Sequence, residues 1–216
     1  HRTVSFTVPT GNFGDIYAGS VARAMGLPVA RLIAATNHND ILHRCLTTGA
    51  YRPDRVIPSL SPSMDIQVSS NFERALFDAF GRDAAPVAAL MSELAQGGFG
   101  VPADALAALR VVYASGRVSE AETLATIARI RAEAGEVLCP HTAVGVAVAE
   151  ASLGPEPMVT LATAHPAKFP DAVRAATGLH PALPARMADL FDRPERVTDL
   201  PADLGALQAL IRARIA

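Results

Sequence analysis

Apolar and polar positions alternate along the chain in a way that predicts strands and amphipathic helices in turn. Residues 3–8 are β-branched or aromatic at nearly every position, which is typical of a strand covered on both faces. Residues 16–25 predict a helix whose inward positions are Ile16, Val21, Ala22 and Met25, and residues 29–35 predict the next strand. Two strands joined by a helix in so short a stretch form a βαβ unit, which implies parallel strands and a right-handed crossover.

The rest of the chain continues this alternation. Two capping boxes, Ser70 with Glu73 and Ser119 with Glu122, predict helices that run to residues 80 and 134. We expect a loop over residues 52–66, where prolines interrupt any regular pattern. The other predicted elements are a helix from Asn37 or Asn39 to Leu46, helices over residues 84–95, 141–152, 170–177 and 202–215, and strands over residues 137–139 and 158–164.

Composition argues against several classes of protein. The 216 residues include 19 basic and 21 acidic side chains, so the chain lacks the excess of positive charge that a nucleic-acid or membrane-surface protein needs. No apolar run approaches the ~18 residues that span a bilayer, and the first residues do not follow the plan of a signal peptide. Cys45 and Cys139 stand far apart without a CxxC motif, which argues against a disulfide framework or a zinc site and favours the cytoplasm.

The sharpest local chemical signal is the turn between the first strand and the first helix, Thr10-Gly11-Asn12-Phe13-Gly14. Backbone N–H groups point outward at a helix N-terminus, where the helix dipole favours an anion. Gly11 and Gly14 allow a phosphate to approach closely because they carry no Cβ. The turn matches neither GxGxxG nor the P-loop, so local sequence alone leaves a phosphate site and an ordinary tight turn both open.

Residues 8–15, Val-Pro-Thr-Gly-Asn-Phe-Gly-Asp, resemble the cofactor-phosphate loop of the threonine synthase family, which are fold-type-II enzymes of pyridoxal 5′-phosphate (PLP). Other segments resemble the same family in the family's order: residues 35–42, 61–66, 69–74, 140–145 and 163–169. The resemblance identifies the chain as the carboxyl-terminal half of such an enzyme. It implies a three-layer α/β fold with a mainly parallel sheet flanked by helices. This chain would then contain most, but not all, of the large domain of such an enzyme.

The same resemblance implies two parts of one domain, a PLP-binding portion over residues 1–178 and a helical tail over residues 179–216. The implied reaction converts O-phosphohomoserine and water to threonine and phosphate. The family's Schiff-base lysine lies in the amino-terminal half, so we expect no catalytic residue in this chain. A chain that opens directly on a buried strand is in any case expected to be a fragment, acting with the missing half.

The resemblance also assigns individual residues. Lys168 is the only lysine, and it lies in a segment that the family has in addition to its Schiff-base lysine. We therefore expect Lys168 to be a helix-entry charge or a salt-bridge partner. Thr163 is expected to meet the pyridine nitrogen of PLP, and no metal is expected. The residues expected to bind PLP are Gly11, Asn12, Phe13, Gly14, Asp15 and Thr163.

Further polar residues have both a functional and a structural interpretation. In the structural interpretation, the asparagines cap a helix, the serines and the aspartate hold their own loop by hydrogen bonds, and the histidines bond to the backbone. The residues concerned are the asparagines Asn37 and Asn39, the loop residues Ser61, Ser63 and Asp65, and the histidines His141 and His165. Two rival functions stay open: another fold-type-II lyase or dehydratase, and a non-catalytic phosphate-binding module, which the absence of the lysine from this chain does not exclude.

Overall fold

A computed structural model of the chain describes residues 2–215, which divide into two compact units with the boundary between Ala182 and Leu183. The first unit is built on a parallel sheet of four strands, with a separate antiparallel pair. In chain order the strands of the described residues are β1 Val4–Pro9, β2 Val29–Thr36, β3 Ala50–Tyr51, β4 Phe99–Gly100, β5 Tyr113–Arg117 and β6 Met158–Thr160.

The main sheet has the strand order β5-β2-β1-β6, and every neighbouring pair is parallel. At the centre of the sheet, Phe6 of β1 is in register with Leu32 of β2 on one side and Val159 of β6 on the other. The chain therefore moves from β1 to β2 and β5 in one direction, and returns past β1 to place β6 on its far side. The predicted parallel α/β fold is confirmed.

Helices cover both faces of this sheet. Along β2, Leu32 and Ala34 belong to one apolar cluster, whereas Ile33 and Ala35 belong to a second cluster on the opposite face. The helices of the first unit are α1 Gly14–Ala24, α2 Ile41–Thr48, α3 Phe72–Ala79, α4 Ala84–Leu94, α5 Ala103–Val112, α6 Glu120–Ala134, α7 Pro140–Glu150 and α8 Pro170–Thr177.

One of the two predicted capping boxes is confirmed and the other is wrong. Ser119 accepts a hydrogen bond from the N–H of Glu122, and the Glu122 carboxylate accepts one from the N–H of Ser119, so α6 begins as predicted. At α3 the N-cap is Asn71 in a left-handed conformation, with φ of 72° and no side-chain cap. The Ser70 hydroxyl instead donates to Oδ1 of Asn12, because Asn71 and not Ser70 is the N-cap residue.

The inward face predicted for α1 is right at Ile16 and wrong at Val21 and Met25. Val21 and Met25 are 41% and 83% exposed, whereas Ile16 is fully buried. Gly19 explains the difference, because a Cβ at this position would lie 2.8 Å from Leu32 Cδ2. The helix therefore packs against β2 along the side that carries Ile16 and Gly19, which turns Val21 and Met25 outward.

Three further differences concern which elements form and where they end. The pattern predicted neither α5 nor β5. Strand β5 was not predicted because Tyr113–Arg117 reads Tyr-Ala-Ser-Gly-Arg and lacks a β-branched run. Residues 137–139 were predicted as a strand but form no regular element. The strand predicted over residues 158–164 ends at Thr160, and only the N–H of Leu161 continues the ladder, by donating to the carbonyl of Thr7.

The second unit contains two 3₁₀ turns, Ala185–Met187 and Leu190–Asp192, followed by helix α9, Leu204–Ile215. Most of its large apolar side chains, Phe191 among them, are exposed. The predicted division of the domain into a PLP-binding portion up to residue 178 and a helical tail after it stays a prediction. Within residues 2–215, no helix combines the length and the apolar character that a membrane crossing requires.

Candidate functional site

A cavity of about 260 Å³ lies where β1 ends in the middle of the sheet. In open parallel sheets, ligands bind outside the carboxyl ends of the strands, at the point where the order of connections reverses. The end of β1 is such a point here, because β2 continues the chain on one side and β6 returns on the other. The residues that line the cavity are Pro9, Thr10, Gly11, Asn12, Gly14, Asp15, Ser63, Met64, His141, Thr163, Ala164 and Lys168.

The loop between β1 and α1 is held by one buried side chain. Phe13 adopts a left-handed conformation with φ of 62°, which is uncommon for a residue with a Cβ. Its ring is fully buried and meets the rings of Phe72 and Tyr113 edge-on, at centroid distances of 5.2 and 5.0 Å. The N–H of Phe13 donates to Thr10 Oγ1 over 3.1 Å. Phe13 therefore anchors the loop and does not line the cavity.

The other N–H groups of the loop are available to a ligand. Those of Gly11, Asn12, Gly14 and Asp15 make no hydrogen bond within residues 2–215, and all four residues line the cavity. Unpaired donors at a helix N-terminus are the usual means by which a protein binds a phosphate. Two carbonyls of the loop have partners in the neighbouring segment: Gly11 O accepts from the Ser69 hydroxyl, and Asn12 O accepts from Asn71 Nδ2 over 3.0 Å.

The two glycines of the loop serve different purposes. A Cβ on Gly11 would lie 3.0 Å from Ser63 O and from Ile66 Cδ1, so the neighbouring loop leaves no space for a side chain. A Cβ on Gly14 would meet only Asn71 Nδ2, at 3.7 Å, and its φ is not in the left-handed region. Gly11 is thus needed for packing, whereas Gly14 leaves the helix N-terminus uncovered.

A network around Asp65 fixes the loop over residues 52–66 beside the cavity. Asp65 Oδ1 accepts from Nδ2 of Asn37 and of Asn39, each over 2.9 Å, and Oδ2 accepts from the N–H of Ser59 over 2.8 Å. Ser61 lies 2.9 Å from Asn37 Nδ2. Both asparagines therefore hold this loop and do not cap α2, whose N-cap has no side-chain hydrogen bond.

Helix α7 brings His141 to the cavity by packing closely on the sheet. A Cβ on Gly145 would lie 2.7 Å from Thr160 Cγ2 and 2.9 Å from Pro9 Cγ, so only glycine permits this approach. His141, one turn earlier, is 4% exposed, and its Nε2 accepts from the N–H of Ser63 over 3.2 Å. Burial, and then the positive charge of Lys168, lower the pKa of His141 to about 4, against the opposing effect of Asp65.

The turn after β6 completes the cavity. Thr163 was predicted near the end of a strand, but it lies beyond β6 in an irregular segment, where it is exposed and lines the cavity. Lys168 ends the 3₁₀ turn Pro166–Lys168 and also lines the cavity. His165 does not line it; its Nδ1 accepts from the N–H of Ala167 and so begins the turn.

The structure thus brings together five of the six residues predicted to bind the cofactor, and leaves out the side chain of Phe13. Sequence reasoning did not select Met64 or Ala164, and it gave Lys168 a different role. Their position in the sequence was a usable signal. Ala164 and Lys168 come after β6 just as the predicted phosphate loop comes after β1, and the carboxyl ends of parallel strands lie at the same edge of a sheet. Among residues 2–215, no three His, Cys, Asp or Glu side chains are grouped as a metal site would require.

Comparison with known proteins agrees with the sequence resemblance. A family model described as the threonine synthase C-terminal region matches residues 142–211. A threonine synthase of Pseudomonas aeruginosa is 54% identical over 98% of this chain and 46% of its own length. A crystal structure of PLP-bound threonine synthase from Brucella melitensis superposes with a TM-score of 0.94 at 55% identity, over 98% of this chain and 46% of that one.

A crystal structure of the yeast enzyme gives a TM-score of 0.86 at 37% identity, over 99% of this chain and 47% of that one. The chain spans about half the length of the curated relatives that it matches. The predicted resemblance to the carboxyl-terminal half of threonine synthases is confirmed.

Proposed function

We propose that this chain, which is related to the threonine synthases through their carboxyl-terminal half, supplies the cofactor-phosphate site of a PLP-dependent threonine synthase. One observation carries the proposal: Gly11, Asn12, Gly14 and Asp15, whose backbone N–H groups are unpaired within residues 2–215, all line a cavity at the switch point of the sheet. Such an arrangement favours a phosphate monoester, because the donors are fixed before the ligand arrives.

The residues present fit PLP. The loop donors would bind the phosphate, and the absence of a side chain on Gly14 keeps the helix N-terminus open to it. Thr163, which lines the same cavity, carries the hydroxyl that would bond to the pyridine nitrogen. When bound, PLP supplies an electron sink for the removal of protons next to a substrate amino group. A hydroxyl at the ring nitrogen, unlike a carboxylate, does not force that nitrogen to carry a proton.

The proposed substrate is O-phosphohomoserine, which reacts with water to give threonine and phosphate. The proposed role of this chain is to bind and orient the cofactor and the substrate. It would do so through the loop, through Thr163 and through the walls of the cavity. The lysine that the family uses for the covalent bond to PLP belongs to the other half of those enzymes. The 216-residue chain by itself is therefore expected to bind phosphate but not to turn over substrate.

Nuclear magnetic resonance of the backbone amides tests the site. We expect the amide signals of Gly11, Asn12, Gly14 and Asp15 to shift saturably with millimolar inorganic phosphate and with PLP. A chain that melts cooperatively but shows no such shift would refute a preformed phosphate site. Steady turnover of O-phosphohomoserine by the chain alone would refute the assignment of the lysine to the other half.

Optical spectroscopy separates the rival functions. Once this chain is combined with the amino-terminal half, a visible PLP band that borohydride abolishes is expected of either fold-type-II enzyme. Production of threonine then distinguishes a threonine synthase from another lyase or dehydratase. Phosphate binding with neither band nor product in the combined protein would favour a non-catalytic phosphate-binding module.

A further inference from the structure

The cavity has a second wall, which we define as His141 and Lys168. It comes from α7 and from the turn after β6, and it is separate in sequence from the glycine loop. The two side chains are linked through Phe169, whose ring centroid lies 4.6 Å from that of His141 and 5.8 Å from the ammonium nitrogen of Lys168. The positive charge of Lys168 also lowers the pKa of His141, which agrees with their proximity.

Lys168 has no ionic partner in the described part of the chain. It is absent from the ion pairs found among residues 2–215, so the salt-bridge role expected from sequence is not seen there. Asp15 is the one carboxylate among the residues that line the cavity. Lys168 is exposed, and among the residues that line the cavity it carries the single full positive charge.

His141 has a donor without an acceptor. Its Nε2 accepts from the N–H of Ser63, so in the neutral ring the proton is on Nδ1. Nδ1 is buried and has no hydrogen-bond partner within residues 2–215. A buried donor left unpaired costs free energy that a ligand can recover. His141 is 4% exposed and is one of the residues that line the cavity, so a ligand bound in the cavity is a candidate acceptor for this donor.

We propose that His141 and Lys168 bind a phosphate monoester dianion in this cavity, His141 through its Nδ1–H and Lys168 through its charge. The proposal rests on the function proposed above. A phosphate monoester carries about −1.5 to −2 charges at neutral pH, whereas a helix N-terminus offers only about +0.5. The loop therefore supplies shape and hydrogen bonds, and Lys168 supplies the full charge that the loop lacks.

Two ligands present this chemistry, the phosphate of the cofactor and the phosphate of the substrate. Because Lys168 is the only lysine, one chemical label distinguishes them without a substitution. Reductive methylation with ¹³C-formaldehyde keeps the positive charge and gives one dimethyl-lysine signal, apart from that of the terminal amine. A dimethylated lysine forms no covalent bond with an aldehyde, so the PLP arm of the experiment reports binding alone.

We expect inorganic phosphate to shift the dimethyl-Lys168 signal saturably. Pyridoxal 5′-phosphate, pyridoxal and O-phosphohomoserine are then compared. A response to PLP but not to pyridoxal assigns the cofactor phosphate to Lys168, whereas a response to O-phosphohomoserine after saturation with PLP assigns the substrate phosphate. A Lys168 signal that stays still while the loop amides shift would overturn this proposal and leave the phosphate loop intact. No movement of either set would overturn the proposed function as well.

Substitutions give an independent measure. Lys168→Met should weaken phosphate binding about tenfold or more, as loss of a charged hydrogen bond does, and Lys168→Arg should retain most of it. The matched control is Arg23→Met, which removes one positive charge from the other end of α1, about 13 Å along the helix from its N-terminus. Equal affinity of Lys168→Met and Arg23→Met would refute a specific role for Lys168.

The predicted proton position on His141 is measured directly by long-range ¹H–¹⁵N correlation in histidine-labelled protein. We expect the pattern of an Nδ1-protonated ring at pH 7, with the Nδ1 resonance moving when phosphate binds. A ring protonated at Nε2, or an Nδ1 signal insensitive to phosphate, would exclude His141 from the ligand. The measurement uses the unsubstituted chain, so it does not depend on whether a variant folds.

Discussion

Acidification should destabilise the chain through His141 in a defined range of pH. The unfolded residue has a pKa of about 6.5, whereas burial and the charge of Lys168 lower the pKa in the folded chain to about 4. Between these values the unfolded chain binds a proton that the folded chain does not. The stability present above pH 6.5 is therefore lost as the pH falls toward 4. The gap between the two pKa values corresponds to about 3 kcal/mol in the free energy of unfolding.

The assay is urea unfolding followed by circular dichroism at pH 7.5, 6.5, 5.5 and 4.5. His141→Gln is the informative variant, because its side-chain carbonyl can accept from the N–H of Ser63 but does not titrate in this range. Carboxylates distant from residue 141 affect both proteins equally, so the difference between the two curves reports His141 together with its interaction with Asp65. We expect the unsubstituted chain to lose about 2 to 3 kcal/mol more than the variant between pH 7.5 and 4.5. His180→Gln, at an exposed site, is the control, and parallel curves for wild type and His141→Gln would refute the reasoning.

Three further substitutions test the parts of the site separately. Gly14→Val should abolish phosphate binding and leave the unfolding free energy within about 1 kcal/mol, since the fold accommodates a Cβ there; retained binding by titration would contradict an open helix N-terminus. Phe13→Ala should cost about 3–5 kcal/mol in urea unfolding, because it empties a fully buried ring site, and a cost under about 1 kcal/mol would mean that the ring is no anchor. Thr163→Val in the complete enzyme should leave PLP bound but change its absorption and slow turnover. An unchanged spectrum and rate would make Thr163 a mere surface residue.

The phosphate loop could be predicted from sequence because its signal is local. Gly11 and Gly14 follow directly on a β-branched strand, and the strand-turn-helix order alone places their N–H groups at the end of β1. The role of Phe13 could not be inferred in the same way. Whether its N–H is free depends on Thr10 Oγ1, and whether its ring is buried depends on Phe72 and Tyr113 from distant parts of the chain.

The second wall was missed for a related reason. His141 and Lys168 reach the loop because the chain returns past β1 and places β6 beside it. A local sequence pattern does not predict which strand lies beside β1. The prolines beside His141 and His165 mark helix starts for both histidines equally. Only tertiary packing separates them, since His141 is buried at the cavity and His165 caps its own turn.

The contact between α7 and the sheet should control the position of His141, and the chain offers a matched pair of glycines to test it. A methyl group on Gly145 would lie 2.7 Å from Thr160 and 2.9 Å from Pro9, so Gly145→Ala must move α7 away from β1 one turn from His141. A methyl group on Gly116 of β5 would lie 2.6 Å from Val148, on the same helix but two turns from His141.

Both variants should lose about 1–3 kcal/mol in unfolding free energy, as overpacked sites do. Phosphate affinity should fall several-fold in Gly145→Ala and much less in Gly116→Ala, because only the first displaces the Nδ1 donor from the cavity. Titration of the loop amides with phosphate measures both. Equal losses of affinity at equal losses of stability would show that the site responds to general loosening of the fold, and His141 would then have no special place in it.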